Sequence, residues 1–306
     1  MKRLADLVLQ SAKYCTEETD DGCVCCGVQY AGSGELCVRC QAPLELSRTV
    51  KSRSVPPAFV PVLGASGAGK TVYLGLLLDM LSKGAKNMKG LVTGAFSVAL
   101  QEQTTRALES RRFPEKTPTE SDEWKWVHCE VTTRKRTADY VDIVTPDIAG
   151  EAIASEIERP RSQPAIRSVI AQSRGLMVLC DSIRVRDNGL DEDLFAIKLA
   201  SYLSNLHVAS ATSKKRKKWE APVAIVFTKA DACPEAREDP NHFANCNLPR
   251  LLQFCERQFA RYRFFASSVV GSSATMIDGY GCRTEVPFHV EPWGIVEPLE
   301  WIIASS

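Results

Sequence analysis

The stretch Gly64-Ala65-Ser66-Gly67-Ala68-Gly69-Lys70-Thr71 has the residue types and spacing to hold a nucleoside triphosphate. Its glycines let backbone N–H groups converge on phosphate oxygens without Cβ clashes. Lys70 can reach the β- and γ-phosphates, and the Thr71 hydroxyl can ligate Mg²⁺. An apolar run (58–63) precedes the loop and a helix-patterned segment (72–82) follows it. The loop is therefore read as a strand-to-helix turn, with the positive dipole end of the helix aimed at the phosphates. A plain structural turn is the competing reading, and the full eight-residue pattern in this context argues against it.

Three later stretches carry complementary chemistry. The apolar run 140–146 ends in Asp147-Ile148-Ala149-Gly150-Glu151. An aspartate at a strand end facing the phosphate loop can hold Mg²⁺ through water, and the Gly150 N–H can meet the γ-phosphate. The proline-punctuated stretch 111–119 breaks regular structure where a switch loop would lie; Thr117 is the first choice and Thr119 the second for completing Mg²⁺ coordination, against an ordinary surface loop. The run 223–227 ends in Thr228-Lys229-Ala230-Asp231. A carboxylate there accepts from guanine N1–H and the 2-amino group, whereas adenine would leave it unpaired. The Lys229 stem can lie along the purine, and a backbone N–H of Ser267 or Ser268 can meet guanine O6.

Cysteines supply a second chemistry. Six of the 12 lie in the first 40 residues. Cys23-x-x-Cys26, ten residues, then Cys37-x-x-Cys40 is a spacing that places four thiolates round a structural zinc. Gly27 suits the turn after the first pair, and Gly32 and Gly34 the hairpin between pairs. Cys25, adjacent to Cys26, leaves the register of that pair open, and disulfides or free thiols are the other reading. So small a module has no core, so bound metal would supply its folding free energy.

Positioning these groups requires a parallel sheet with helices on both faces. The runs 175–181 and 223–227 are apolar throughout, as strands buried on both faces are. Strands are expected at 124–132, 138–147 and 263–266, and helices at 72–82, 190–209, 248–261 and 296–304. The segment 91–98 reads as a strand or as the start of a helix reaching Arg112. With 306 residues, 44% hydrophobic and 25% charged, the chain suits a soluble fold of one or two domains. Its formal net charge of +1 gives no global field for nucleic acid or membrane. The basic runs Arg134-Lys135-Arg136 and 214–218 are read mainly as solvated loops. No apolar run approaches the ~18 residues of a membrane span, and scattered thiols beside a nucleotide site point to the cytoplasm. The expected organisation is a helical arm at 1–20, a zinc knuckle at 21–42, a linker at 43–57 ending in Pro56-Pro57, and a nucleotide domain at 58–306.

In this order GASGAGKT, the proline/threonine loop, DIAGE, TKAD and ASS resemble the five motifs of Ras-like GTPases, with coverage from about Ala58 to Val269. The cysteine module, FPEKTPT, DIAGE and GIVEPLEWII resemble more specifically the bacterial double-GTPase proteins of conflict and phage-defence gene clusters. The resemblance implies an α/β P-loop NTPase fold: three α-β-α layers, a mostly parallel sheet of about six strands, and a small four-cysteine zinc module in front. It implies GTP/GDP, Mg²⁺ and Zn²⁺ as ligands. It assigns Gly64, Gly69, Lys70 and Thr71 to phosphate and Mg²⁺, Asp147 and Gly150 to Mg²⁺ and γ-phosphate sensing, and Lys229 and Asp231 to guanine. One departure stands out: Glu151 occupies the place of a water-orienting glutamine. A glutamate only accepts hydrogen bonds and brings negative charge, so slow hydrolysis awaiting a partner, such as a second GTPase or an effector, is expected. Arg111, Arg112, Arg159 and Arg161 are the arginines considered for charge stabilisation. The competing functions are an ATPase, a zinc-containing nucleic-acid-binding regulator whose nucleotide domain does not hydrolyse, and a binding-only pseudo-GTPase.

Overall fold

The computed structural model describes residues 22–29, 34–53, 56–120, 124–133, 136–210, 218–277 and 283–305. The arm expected at 1–20, the Gly32 turn, Arg134-Lys135 and Lys214 to Lys217 lie outside them.

Strands β1 (Ala58–Phe59) and β2 (Val62–Gly64) are two pieces of one line, broken at Pro61, which has no N–H to give a ladder. β1 pairs in parallel with β5 (Arg136–Pro146), and β2 with β6 (Leu176–Asp181). Val60 N donates to Val144 O (3.2 Å) and Met177 N to Pro61 O (3.1 Å) across the break. The two hydrogen-bonded sheets thus run as one layer. From β6 it continues in parallel to β7 (Val223–Thr228) and β8 (Tyr262–Ala266). On the other side β4 (Trp126–Thr133) and β3 (Met88–Thr93) are added antiparallel. The layer is mostly parallel, as the resemblance implies, with β3 as an added edge strand.

Alternation along the strands divides the core in two. Ala58, Val60, Val62, Met177, Leu179, Ala224 and Val226 face one cluster, with Leu74, Leu77, Leu78 and Leu81 of α2 (Lys70–Lys83). Leu299 and Ile302 of α11 (Glu297–Ser305) complete that side. Phe59, Leu63, Val178, Cys180, Val223, Ile225 and Phe227 face the other. There they meet α4 (Gly150–Glu158), α5 (Pro164–Ala171), α7 (Gly189–Ser210) and α10 (Pro249–Gln258). Each such aliphatic side chain contributes about 1.5–3 kcal/mol on full burial, and the alternation makes a one-residue slip of any central strand prohibitive.

Two expectations change. The stretch read as a linker holds a helix, α1 (Leu44–Lys51), with Leu44, Leu46, Ser47 and Val50 buried against the second cluster. Its polar composition hid a narrow apolar stripe, while Glu45 in the first turn and Arg48 and Lys51 in the last suit the helix dipole. The ambiguous 91–98 is both alternatives in succession: β3 ends at Thr93, Gly94 turns with φ 82°, and α3 (Ala95–Glu109) begins. Helices α4 and α5, the remaining helices α6 (Ser182–Asp187), α8 (Pro234–Glu238) and α9 (Pro240–Asn247), and the hairpin β9 (Ser272–Ile277) with β10 (Arg283–His289), were not foreseen. No helix among the described residues is long and apolar enough to cross a membrane.

Candidate functional site

The loop between β2 and α2 is shaped by close approach. A Cβ on Gly64 would stand 2.5 Å from Leu179 O, and Gly67 and Gly69 hold φ of 81° and 83°, where other residues are strained. Lys70 folds back to donate to Gly64 O (3.1 Å) and Ala65 O (3.0 Å) and is 7% exposed. Burial lowers its pKa from 10.5 to about 8, although the Asp147 and Glu151 carboxylates oppose the shift. Among the described residues this desolvated cation makes no short salt bridge, and an anionic ligand would satisfy it.

Across the loop, three oxygen donors from separate elements meet. Thr71 Oγ1 lies 2.6 Å from Thr117 Oγ1, and Asp147 accepts from Thr71 (3.3 Å) and Thr117 (3.0 Å). Asp147 follows β5 directly and is 2% exposed; burial raises its pKa while the two hydroxyls and Lys70 pull it back. Two hydroxyls and a buried carboxylate are hard oxygen donors of the kind Mg²⁺ takes, so the set fits that ion. Thr119 is exposed and takes no part.

Gly150 begins α4 against the loop: a Cβ there would be 2.2 Å from Ser66 N, so any side chain would displace one of the two. Glu151 lies on the same loop residue. A hydrogen bond with Ser66 lowers its pKa, and Lys116 Nζ stands 3.6 Å from its Oε1. Glu151 is therefore an anion here, able to accept from water but not to donate.

The far end of the cleft is built from β7 and β8. Thr228 Oγ1 donates to Ala68 O (3.0 Å), tying the strand end to the phosphate loop. Lys229 adopts φ 56°, and its Nζ donates to Asp181 Oδ2 (2.6 Å). Asp231 accepts from Ser268 Oγ (2.5 Å), which fixes the carboxylate beside the Ser267-Ser268 backbone. A cleft of about 260 Å³ is lined by residues from Ser66 through Tyr73, Phe113 through Thr117, Gly150, Glu151, Thr228, Lys229, Asp231, Ser267 and Val270. Lys70, Thr71, Thr117 and Asp231 therefore line one crevice, and Asp147 reaches it through the two threonines.

Two contributors went unread in the sequence. Asp181 ends β6; its Oδ1 accepts from Ile183 N (3.0 Å) and Arg184 N (3.3 Å), capping α6 while the other oxygen holds Lys229. An aspartate immediately before a short amphipathic turn is a cap signal that could have been found. Gly294 (φ 70°) lets Trp293 exchange backbone hydrogen bonds with Ser268 (both 3.0 Å); a Cβ on Gly294 would stand 2.1 Å from Ala266 O. Of the arginines considered, Arg111 packs over Phe288 (5.5 Å), Arg112 and Arg159 are exposed, and Arg161 lies on a turn whose amide donates to buried Glu156 (2.9 Å).

In the cysteine module the sulfurs of Cys23, Cys26, Cys37 and Cys40 all lie within 4.8 Å of one another. The closest pairs, Cys23–Cys40 and Cys26–Cys37, are 3.5 Å apart. Four thiolates at ~2.3 Å from one tetrahedral ion would be spaced about this way, so the group fits zinc. The two halves repeat one turn: Gly27 N donates to Cys23 O and Gln41 N to Cys37 O, with φ of 70° and 59° at the closing residues. Val24 N donates to Ser47 Oγ of α1 (3.1 Å), and the Cys25 carbonyl accepts from Gln172 beyond α5. The module is thereby packed into the same cluster as α4, α5 and α7.

The family model described as Double-GTPase 2 matches residues 58–280. No curated protein matches the chain. Among solved structures, the chain is similar to the Saccharomyces cerevisiae Ski7 GTPase-like domain bound to GDP and inorganic phosphate: 15% identity, TM-score 0.43, covering 85% of this chain and 52% of that one. It is similar to the signal recognition particle receptor SRb-GTP/SRX complex from Chaetomium thermophilum at 14% identity and TM-score 0.42, covering 80% and 98%. A third is the ADP-ribosylation-factor-like/SAR1 protein from Encephalitozoon cuniculi in complex with GDP, at 16% and 0.33, covering 72% and 74%. The chain spans about half the length of the Ski7 structure.

Proposed function

Because the chain belongs to the Double-GTPase 2 family, we propose that it is a GTP-binding switch that hydrolyses GTP slowly with Mg²⁺. The observation that carries this reading is the convergence of Lys70, the Thr71–Thr117–Asp147 oxygens and Asp231 on one cleft. Residues Gly64 to Thr71 cradle the phosphates, and Lys70 exchanges its loop carbonyls for phosphate oxygens. Thr71, Thr117 and Asp147 hold Mg²⁺, which neutralises phosphate charge when bound. Gly150, pressed against Ser66, reports the γ-phosphate to α4. Thr228, Lys229 and Asp231, with the Ser267-Ser268 backbone, select guanine.

Glu151 sets the rate. As an anion that accepts but cannot donate, it orients the attacking water incompletely and repels the γ-phosphate, so turnover is slow until a partner intervenes. The zinc module at 21–42, braced by α1, serves as the docking element for that partner, a second GTPase or an effector. The setting is a bacterial conflict or phage-defence system in the cytoplasm. Competition of GTP and ATP for the full chain, with and without Mg²⁺, tests the reading: GTP should win by several orders of magnitude. Equal affinity for the two would make the carboxylate at 231 incidental.

A further inference from the structure

The sequence offered four arginines for charge stabilisation, and none of them is bonded to the phosphate loop. Arg184 is. It sits in the first turn of α6, its backbone held by the Asp181 cap. Its Nη1 donates to Ser66 O at 2.8 Å, and Nη2 would lie 3.0 Å from a Cβ placed on Gly67. The guanidinium thus lies on the Ser66-Gly67 peptide. Ser66 carries Gly150 and Glu151 on one flank and Arg184 on the other.

Two carboxylates face the Arg184 guanidinium, neither of them within hydrogen-bond distance. Asp181 and Glu192 stand 3.9 and 4.0 Å away, and the Asp181 oxygens are committed to the α6 amides and to Lys229. Among the described residues its guanidinium makes one hydrogen bond, that to Ser66, although it carries five N–H donors. A half-exposed arginine anchored by one donor, with the others free, is placed to turn a fork towards a phosphate chain without paying to be ordered from solution.

Resting on the GTPase reading above, we infer that Arg184 is this protein's own charge-stabilising arginine, supplied in cis. Water attacks the γ-phosphorus and the bond to the β–γ bridging oxygen breaks, leaving that electron pair on GDP. The water's proton departs with inorganic phosphate. Negative charge gathers on the bridging and γ-oxygens as this happens, and the guanidinium donors stabilise it there more than in the ground state. The chain then needs a partner for water orientation, where Glu151 is deficient, and not for positive charge.

The test uses the full chain with GDP, aluminium and fluoride, whose complex mimics the transferring phosphoryl group. Wild type alone, with no partner, should gain GDP affinity when aluminium fluoride is added. Arg184→Ala should bind GDP within about threefold of wild type, lose that gain, and hydrolyse GTP in single turnover about 10³-fold more slowly. Arg184→Lys, which keeps charge but not the fork, should fall between. Wild type that binds GDP but shows no fluoride-dependent gain overturns the inference, as does an alanine variant that retains it. An alanine variant whose GDP affinity falls as far as its hydrolysis would show a residue that only braces the loop. Wild type that binds no guanine nucleotide would sink the nucleotide reading itself, a distinguishable failure.

Discussion

Replacing Lys70 by methionine should make the nucleotide-free protein more stable while abolishing its response to nucleotide. The Lys70 pKa falls from 10.5 to about 8 on folding because the ammonium is buried. Below pH 8 the folded protein therefore carries a penalty of about 3 kcal/mol for keeping the proton. Methionine fills similar space without the charge, but it forfeits the hydrogen bonds to Gly64 O and Ala65 O, each worth about 1 kcal/mol. The net gain at neutral pH is on the order of 1–2 kcal/mol. The sign with pH follows from linkage. Between 8 and 10.5 the unfolded chain binds the proton and the folded chain releases it, so wild-type stability rises relative to the variant by about 1.4 kcal/mol per pH unit. Below 8 the two curves run parallel. Urea unfolding of reduced, zinc-loaded protein from about pH 7 to about 9.5 reads this directly, and the difference between the two proteins cancels the thiols and phenols common to both. GDP with Mg²⁺ at about 100 times Kd should add about 2.7 kcal/mol to wild type and almost nothing to the variant. A methionine variant less stable at pH 7, with no divergence above pH 8, would refute the picture of a desolvated cation awaiting its anion.

Asp231→Asn should weaken GDP by about 10²-fold or more, since two hydrogen bonds to a charged acceptor are lost; xanthosine diphosphate, with a carbonyl in place of the 2-amino group, should gain, and fluorescent-nucleotide titration measures both. Glu151→Gln should speed single-turnover GTP hydrolysis by restoring a donor beside the attacking water, and a fast wild-type rate would contradict the role given to Glu151. Cys37→Ser should lower bound zinc, read by metal analysis, and should lower the melting temperature of the whole chain, because the knuckle shares its core cluster with α4, α5 and α7. Chelation of wild type should do the same, and an unchanged melting curve would show the module to be energetically separate.

Most of what locates the cleft was legible because it is local. The glycine pattern needs a particular backbone, so GASGAGKT declares its loop; strands buried on both faces declare themselves as apolar runs at 176–181 and 223–228. Of the two threonines the sequence offers in the switch loop, Thr117 is the one that meets Thr71 and Asp147. What escaped depends on tertiary partners. Helix α1 has a weak local signal and gains its order from burial of Leu44, Leu46 and Val50. Arg184 carries no local signal of its own, and its place on the phosphate loop depends on the Asp181 cap that fixes where its side chain starts. The Gly94 boundary was blurred because Leu91, Val92, Phe96 and Val98 suit a strand or a helix equally, and Leu91, Phe96 and Val98 are exposed.

The clasp between Trp293-Gly294 and Ser267-Ser268 has an implication for how the pocket is made. All five nucleotide motifs have been translated by Ser268, yet the segment clasped to Ser268 at the far end of the cleft follows the β9–β10 hairpin. A ribosome that has finished every recognisable signature has not finished the pocket. Nascent chains halted before residue 293 should own a phosphate loop with an unbraced base end, and discrimination between purines would arrive last.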